Sequence, residues 1–114
     1  MVSNHNTIGI IPIENSYAGS VHENLYHINQ YPVRIIGEFF LPVQHCLLAT
    51  HNDKKILHKV YSHPQALMQC ASYLHKHSIT PQAYHDTAGS AAYIQNLHQT
   101  DSGCIASEFA AHIY

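Results

Sequence analysis

The sequence predicts a mixed α/β fold, and three features of its 114 residues support this prediction. Apolar, strand-like segments alternate with segments of helical periodicity along almost the whole chain. Two strands, within residues 11–21 and 60–70, end in clusters of polar residues and run directly into a helix. The apolar fraction of 46% is normal for a globular protein. Because ligands of open α/β sheets bind outside the carboxyl ends of the strands, the two junctions predict two walls of one cleft.

The first forty residues predict a strand, a helix and a second strand. Residues 7–13 are apolar on both faces, as in a strand buried within a parallel sheet. A capping box that begins at Ser20 predicts a helix over residues 21–29. Pro32 stops this helix, and the apolar run 33–40 predicts the next strand.

The rest of the chain continues the alternation. A second capping box, from Ser62 to Gln65, begins a helix that ends near residue 77. At 100° per residue, Leu67 and Leu74 lie on its core-facing stripe, while Ser62, Gln65 and Gln69 share the opposite face. The other elements predicted here are strands at 43–49 and 60–61, a polar loop at 51–55, a weak strand at 82–84, a helix from an Asp86-Thr87 cap to about residue 98, a strand at 103–106 and a helix that begins at Ser107.

The composition argues against several classes of function. With a formal charge of −2 and only five Lys and Arg residues, the chain has no basic patch for nucleic acid. No apolar run approaches the ~20 residues of a membrane span, and no signal peptide begins the chain, so we expect a cytoplasmic protein. The three cysteines suit free, buried thiols, and the twelve scattered histidines lack the spacing of metal ligands. We therefore expect neither a metal nor a cofactor.

The candidate functional residues are the polar groups that follow the strand ends, namely Glu14, Asn15, Ser16, Ser62, His63, Gln65, Gln69 and Thr87. Each has an ordinary structural explanation as well. The first cluster, taken alone, favours a polar turn, the serine and threonine are helix caps, and the glutamines are surface residues. The histidine is a general acid near neutral pH, or it is fixed structurally between the cap and the following proline.

Four segments together carry a more specific signal. Residues 12–16 read Pro-Ile-Glu-Asn-Ser, and residues 62–70 read Ser-His-Pro-Gln-Ala-Leu-Met-Gln-Cys. Further along, residues 86–92 read Asp-Thr-Ala-Gly-Ser-Ala-Ala, and residues 104–114 read Cys-Ile-Ala-Ser-Glu-Phe-Ala-Ala-His-Ile-Tyr. In order and spacing this set resembles the prephenate dehydratases, which convert prephenate to phenylpyruvate on the route to phenylalanine.

The resemblance implies both a fold and a reaction. The fold is a two-lobed arrangement like that of periplasmic binding proteins, with a remnant of the first lobe at residues 1–40 and a nearly complete second lobe at 41–114. The reaction is that of a lyase, which expels carbon dioxide and water from prephenate. Ser62 and Asn15 then become the catalytic residues, and the whole polar set contacts the substrate. Helix N-termini would receive the carboxylates of this small molecule.

Two motifs of the family have no counterpart in this sequence. One is a Gly-Pro-x-Gly-Thr-Phe-Ser strand and loop, and the other is a Thr-Arg-Phe motif whose threonine has the main catalytic part. The regulatory domain that senses phenylalanine in many members is missing too. We therefore expect the 114-residue chain alone to be inactive. The alternatives are a small-molecule-binding lobe without chemistry and a structural fragment. Uncovered apolar side chains at Ile8, Ile10, Ile35 and Phe39 predict a homo-oligomer.

Overall fold

The computed structural model describes residues 7–114, and the chain divides into two units after Phe40. In the first unit, β1 (Glu14–Asn15) pairs antiparallel with β2 (Gly19–Ser20), and α1 spans His22–Gln30. Gly19 has a φ of +83°, a left-handed conformation that favours glycine and closes the turn between the two strands. The helix predicted at residues 21–29 is thus confirmed to within one residue.

The predicted cap of α1 is wrong. Val21 is the N-cap residue, and no side chain caps this helix. Ser20 instead pairs with Glu14 in the hairpin, so its backbone belongs to β2. The helix is connected to the hairpin through the backbone, where the Val21 N–H donates to the Ile13 carbonyl at 2.9 Å.

Both strands predicted from apolar runs in the first unit are also wrong. Residues 7–13 and 33–40 have no regular secondary structure. Their apolar side chains are exposed, with 94% of Ile10 and 80% of Phe39 accessible to solvent. A strand buried on both faces requires neighbouring strands and covering helices, and within the described part of the first unit these segments pair with no strand.

The second unit is a four-stranded mixed sheet with helices on both faces. Its strands are β3 (Cys46–Leu48), β4 (Lys59–Ser62), β5 (Thr80–Ala83) and β6 (Ser102–Ala106), in the spatial order β3-β6-β4-β5. The last three run parallel, and β3 is antiparallel to β6. Its helices are α2 (Pro64–Gln69), α3 (Ala71–Lys76), α4 (Gly89–Leu97) and α5 (Glu108–Ile113), and a 3-10 turn lies at Lys54–Ile56. The α/β class is confirmed.

Two hydrophobic clusters form the core, one on each face of the sheet. Val60, Leu74 and Ile105 belong to the cluster under α2 and α3. Cys104 and Ala106, the neighbours of Ile105 in β6, belong to the cluster under α4 and α5. Successive residues of β6 therefore point to opposite faces, as the period of a strand requires, and all five residues of this strand are buried.

The helix predicted to begin with the capping box at Ser62 to Gln65 and to end near residue 77 is divided at Cys70. The N–H of Cys70 approaches the carbonyls of both Ala66 and Leu67, at 3.1 and 3.2 Å, which tightens the turn toward 3-10 geometry. The hydrogen bonding resumes when the N–H of Leu74 donates to the Cys70 carbonyl. None of the helices in residues 7–114 has the length and apolar character needed to cross a bilayer.

Candidate active site

The carboxyl ends of the three parallel strands form one edge of the sheet in the second unit. They end at Ser62, Ala83 and Ala106, and each is followed by the start of a helix. The antiparallel β3 begins at this same edge, because Cys46 pairs with Ala106. This carboxyl edge is where ligands of open α/β sheets bind.

Ser62 lies at the carboxyl edge, and its side chain is fully buried. Its hydroxyl donates to the Ile105 carbonyl at 2.7 Å, and its own carbonyl accepts from the Tyr84 N–H at 2.8 Å. Ser62 therefore connects β4 to β6 on one side and to the end of β5 on the other. Its catalytic role stays a prediction, and its hydroxyl proton is donated to a backbone carbonyl in this structure.

The predicted capping role of Ser62 is wrong. Ser62 still pairs with Ala83 as the last residue of β4, so its hydroxyl points across the sheet. His63 is the N-cap residue of α2, and its Nδ1 accepts from the N–H of Gln65 at 3.2 Å. In the neutral ring the proton therefore resides on Nε2. His63 therefore has the structural role that the sequence allowed, as a helix cap, and its exposed ring still has the Nε2–H group as a donor.

Gln69 is the last residue of α2, and its side chain is half-buried. Its Oε1 forms a hydrogen bond with Nε2 of His45, the residue immediately before β3. His45 was not among the predicted site residues, because it lies inside an apolar run that was predicted to be a strand and contacts a residue 24 positions away. The glutamine predicted on an outer helix face is thus held by a partner from another element.

Thr87 lies in the segment that connects β5 to α4. Ala88 is the N-cap residue of α4 and has no side-chain cap, so the predicted Asp86-Thr87 cap is not at the N-cap position. The carboxylate of Asp86 nevertheless accepts from the Gly89 N–H at 2.5 Å. Thr87 contributes its backbone carbonyl, which accepts from the Ser90 hydroxyl at 2.6 Å. The start of α4 is thereby fixed next to the carboxyl edge.

In the first unit, the Glu14–Ser16 cluster forms a tight turn. The side-chain Oδ1 of Asn15 accepts from the N–H groups of Tyr17 and Ala18, at 2.9 and 3.0 Å. Glu14 pairs with Ser20 in the hairpin and is exposed. The polar turn predicted as the structural alternative for this cluster is present, and the side-chain oxygen of Asn15 is used in its hydrogen bonds. The predicted placement of both motifs in one cleft stays a prediction.

Three tyrosines near the carboxyl edge were also missed. The rings of Tyr84 and Tyr93 stack with centroids 5.0 Å apart, and Tyr61 meets Tyr93 edge-to-face at 5.1 Å. Aromatic side chains commonly pack in protein interiors, and these three come from different elements, so their spacing in the sequence gave no reason to group them. They form an aromatic wall between β4 and α4.

The cysteines are free, and Cys104 is the most deeply buried of the three. Burial raises the pKa of the Cys104 thiol to about 11, and a hydrogen bond with Ser90 opposes part of this rise. Burial also raises the pKa of Cys70. Thiols held in this protonated form are poor nucleophiles. Within residues 7–114, no three His, Cys, Asp or Glu side chains converge as metal ligands do.

A family model described as prephenate dehydratase matches residues 1–114. The chain belongs to this family. Arogenate dehydratase 2 of Petunia hybrida is 44% identical to it over 106 residues, which cover 92% of this chain and 27% of that protein. The chloroplastic arogenate dehydratase/prephenate dehydratase 2 of Arabidopsis thaliana is also 44% identical over 106 residues, covering 92% of this chain and 28% of that protein.

A solved structure supports the same relationship. The prephenate dehydratase from Staphylococcus aureus subsp. aureus Mu50 aligns with a TM-score of 0.75 at 27% identity, over 91% of this chain and 38% of that chain. The resemblance to the prephenate dehydratase family is therefore confirmed. The chain spans a little over a quarter of the length of the two plant relatives.

Proposed function

We propose that this chain is part of an enzyme that removes carbon dioxide and water from prephenate or arogenate. The products are phenylpyruvate and phenylalanine, respectively, and the new aromatic ring drives the reaction. Family membership supports this class of lyase, and the names of the relatives add arogenate to prephenate, the substrate predicted from the sequence. Both substrates carry two carboxylates, so the enzyme must bind an anion.

The observation that carries the proposal is the state of two side-chain amides in the family motifs. The oxygen of Asn15 accepts two backbone N–H groups, and the oxygen of Gln69 is bonded to His45. Each amide therefore has its NH₂ group left to offer a ligand. Neutral N–H donors suit a carboxylate or a departing hydroxyl in a chain that has only five Lys and Arg residues.

Proton donation to the departing hydroxyl is the other requirement of the reaction. Ser62 can serve only if its hydroxyl exchanges the Ile105 carbonyl for the substrate, because that proton is already donated. His63 has an N–H that points away from its capping bond. The proposed substrate contacts remain Glu14, Asn15, Ser16, Ser62, His63, Gln65, Gln69 and Thr87, with Ser62 and Asn15 as proposed catalytic residues.

The test uses the complete reading frame that contains this chain. Phenylpyruvate formation from prephenate and phenylalanine formation from arogenate are followed at neutral pH. The variant Gln69→Glu keeps an acceptor for His45 but replaces the NH₂ group with a negative charge, so we expect kcat to fall about 10²–10³-fold. The matched control is Gln95→Glu, the same change at an exposed position of α4. A folded, complete protein that turns over neither substrate would refute the proposal.

The isolated 114-residue chain is expected to turn over either substrate no faster than buffer. A positioned proton donor contributes about 10²–10⁴-fold, and the threonine that performs this task in the family has no counterpart in these residues. Turnover by the purified chain that Gln69→Glu abolishes would show that the chain, or an oligomer of it, builds a working site.

We also propose that the chain self-associates and is cytoplasmic. Large apolar side chains of the first unit are exposed, among them Ile8, Ile10, Ile35 and Phe39. Exposed apolar patches of this kind commonly mark protein interfaces. A monomer in sedimentation velocity at high concentration would contradict self-association, and fractionation of the source cells tests the location.

A further inference from the structure

We propose that His45 is a positioning residue, which fixes the side-chain amide of Gln69 so that its NH₂ group faces the substrate. The identity of the ligand as a substrate rests on the proposed function. The orientation of the Gln69 amide does not, because it is determined by a hydrogen bond within this chain. His45 belongs to none of the four segments that carry the family resemblance.

The fold brings His45 to the right place. It immediately precedes β3, whose first residue, Cys46, pairs with Ala106 at the end of β6. His45 therefore lies at the carboxyl edge of the sheet, where β6 ends. Both His45 and Gln69 are half-buried, which limits competition from water for the hydrogen bond between them.

The chemistry of the two groups determines the direction of the hydrogen bond. The Oε1 atom of Gln69 can only accept, so Nε2 of His45 must carry the proton. This selects one tautomer of the neutral imidazole. With the amide oxygen held by His45, the two hydrogens of the Gln69 NH₂ group point away from the ring and are free to donate.

An unheld glutamine would present its oxygen as readily as its NH₂ group. An oxygen facing a carboxylate is repulsive, whereas an N–H donor is attractive, so the orientation of the amide decides whether the residue binds or repels an anion. His45 therefore acts through Gln69 and need not touch the substrate.

The first test is spectroscopic and needs no activity. In the 114-residue chain labelled with ¹⁵N, the His45 ring should show the Nε2–H tautomer, and through-bond coupling should link its Nε2–H to the carbonyl of Gln69. The Nδ1–H tautomer, or a bond from the Gln69 NH₂ group to the ring, would overturn the proposal. The outcome of this experiment does not depend on whether the complete protein is a dehydratase.

The second test uses kinetics of the complete reading frame. His45→Leu removes the donor and should lower kcat/KM about 10- to 100-fold, since small misplacements of a binding group cost this much. His45→Gln places an N–H donor near the same position and should recover most of the loss. His75→Leu, an exposed histidine of α3, is the matched control. Equal losses for His45→Leu and His45→Gln, with both proteins folded, would overturn the positioning role.

Discussion

The buried hydroxyl of Ser62 provides the most direct test of how the carboxyl edge is held together. Replacing Ser62 with alanine removes one oxygen atom from a fully buried side chain and creates almost no cavity. The change deletes the 2.7 Å hydrogen bond to the Ile105 carbonyl and leaves the backbone bond from Tyr84 in place. The variant therefore isolates the contribution of one contact between β4 and β6.

The size of the effect follows from the burial of that contact. A typical protein hydrogen bond contributes about 0.5–1.5 kcal/mol net, and a buried acceptor that loses its donor costs about 1–3 kcal/mol. We expect Ser62→Ala to lower the free energy of unfolding by about 1–2 kcal/mol. For a unit of this size, 1 kcal/mol shifts Tm by about 4–8 °C, so Tm should fall by about 4–16 °C.

Urea and thermal unfolding followed by circular dichroism measure this loss. Ser72→Ala is the matched control, because it makes the same change at an exposed position of α3 and should stay within about 0.5 kcal/mol of the parent. If Ser62→Ala unfolds at the same urea concentration as Ser72→Ala, the hydrogen bond contributes nothing and the reasoning is refuted. Because Ser62→Ala is expected to be less stable, a loss of activity in this variant indicates a catalytic role only if the variant is folded under the assay conditions.

Two further predictions concern the interior of the sheet. Gly103→Ala would place a Cβ 2.7 Å from the Leu48 carbonyl oxygen, so we expect it to lower the free energy of unfolding, measured in urea, by about 1–3 kcal/mol. The control Gly37→Ala, whose Cβ would meet nothing within 4 Å, should not lower it. Equal urea midpoints for the two variants would contradict this prediction. The pKa of Cys104 is raised from 9.0 to about 11 in the folded chain, so its contribution to stability is complete below pH 9 and is lost as the pH rises toward 11. The parent should therefore lose about 2 kcal/mol more than Cys104→Ala between pH 8 and 11, measured by urea unfolding. Parallel pH profiles would show that the thiol ionises equally in both states.

Local patterns predicted the elements whose determinants lie close together in the chain. The last helix begins as expected, because the Ser107 hydroxyl accepts from the Ala110 N–H at 3.1 Å. The strand at 103–106 was predicted from its apolar residues and extends by one residue, to Ser102–Ala106. In both cases a local signal and the tertiary environment favour the same structure.

The predictions from sequence were wrong or incomplete where residues distant in the chain determine the structure. The apolar runs 7–13 and 33–40 have strand composition but pair with no strand in the described part of the first unit. Ser62 has the spacing of a cap, but β4 extends through it because Ala83 pairs with it. The contact between His45 and Gln69 joins two segments that no periodicity relates. The candidate residues could be predicted from motifs, whereas their hydrogen-bond partners could not.

The position of β6 determines when this sheet can form. Among the strands of residues 7–114 it comes latest in sequence, yet it lies between β3 and β4. During synthesis β4 and β5 can pair early, but within the described sheet the partner of β3 is made only when residues 102–106 are synthesised. We therefore expect the slow, long-range step of folding to be the insertion of β6 between two strands that precede it. A ribosome-bound chain stalled before residue 102 should expose the edges of both β3 and β4, and such unpaired edges are the sites at which nascent chains aggregate or recruit chaperones.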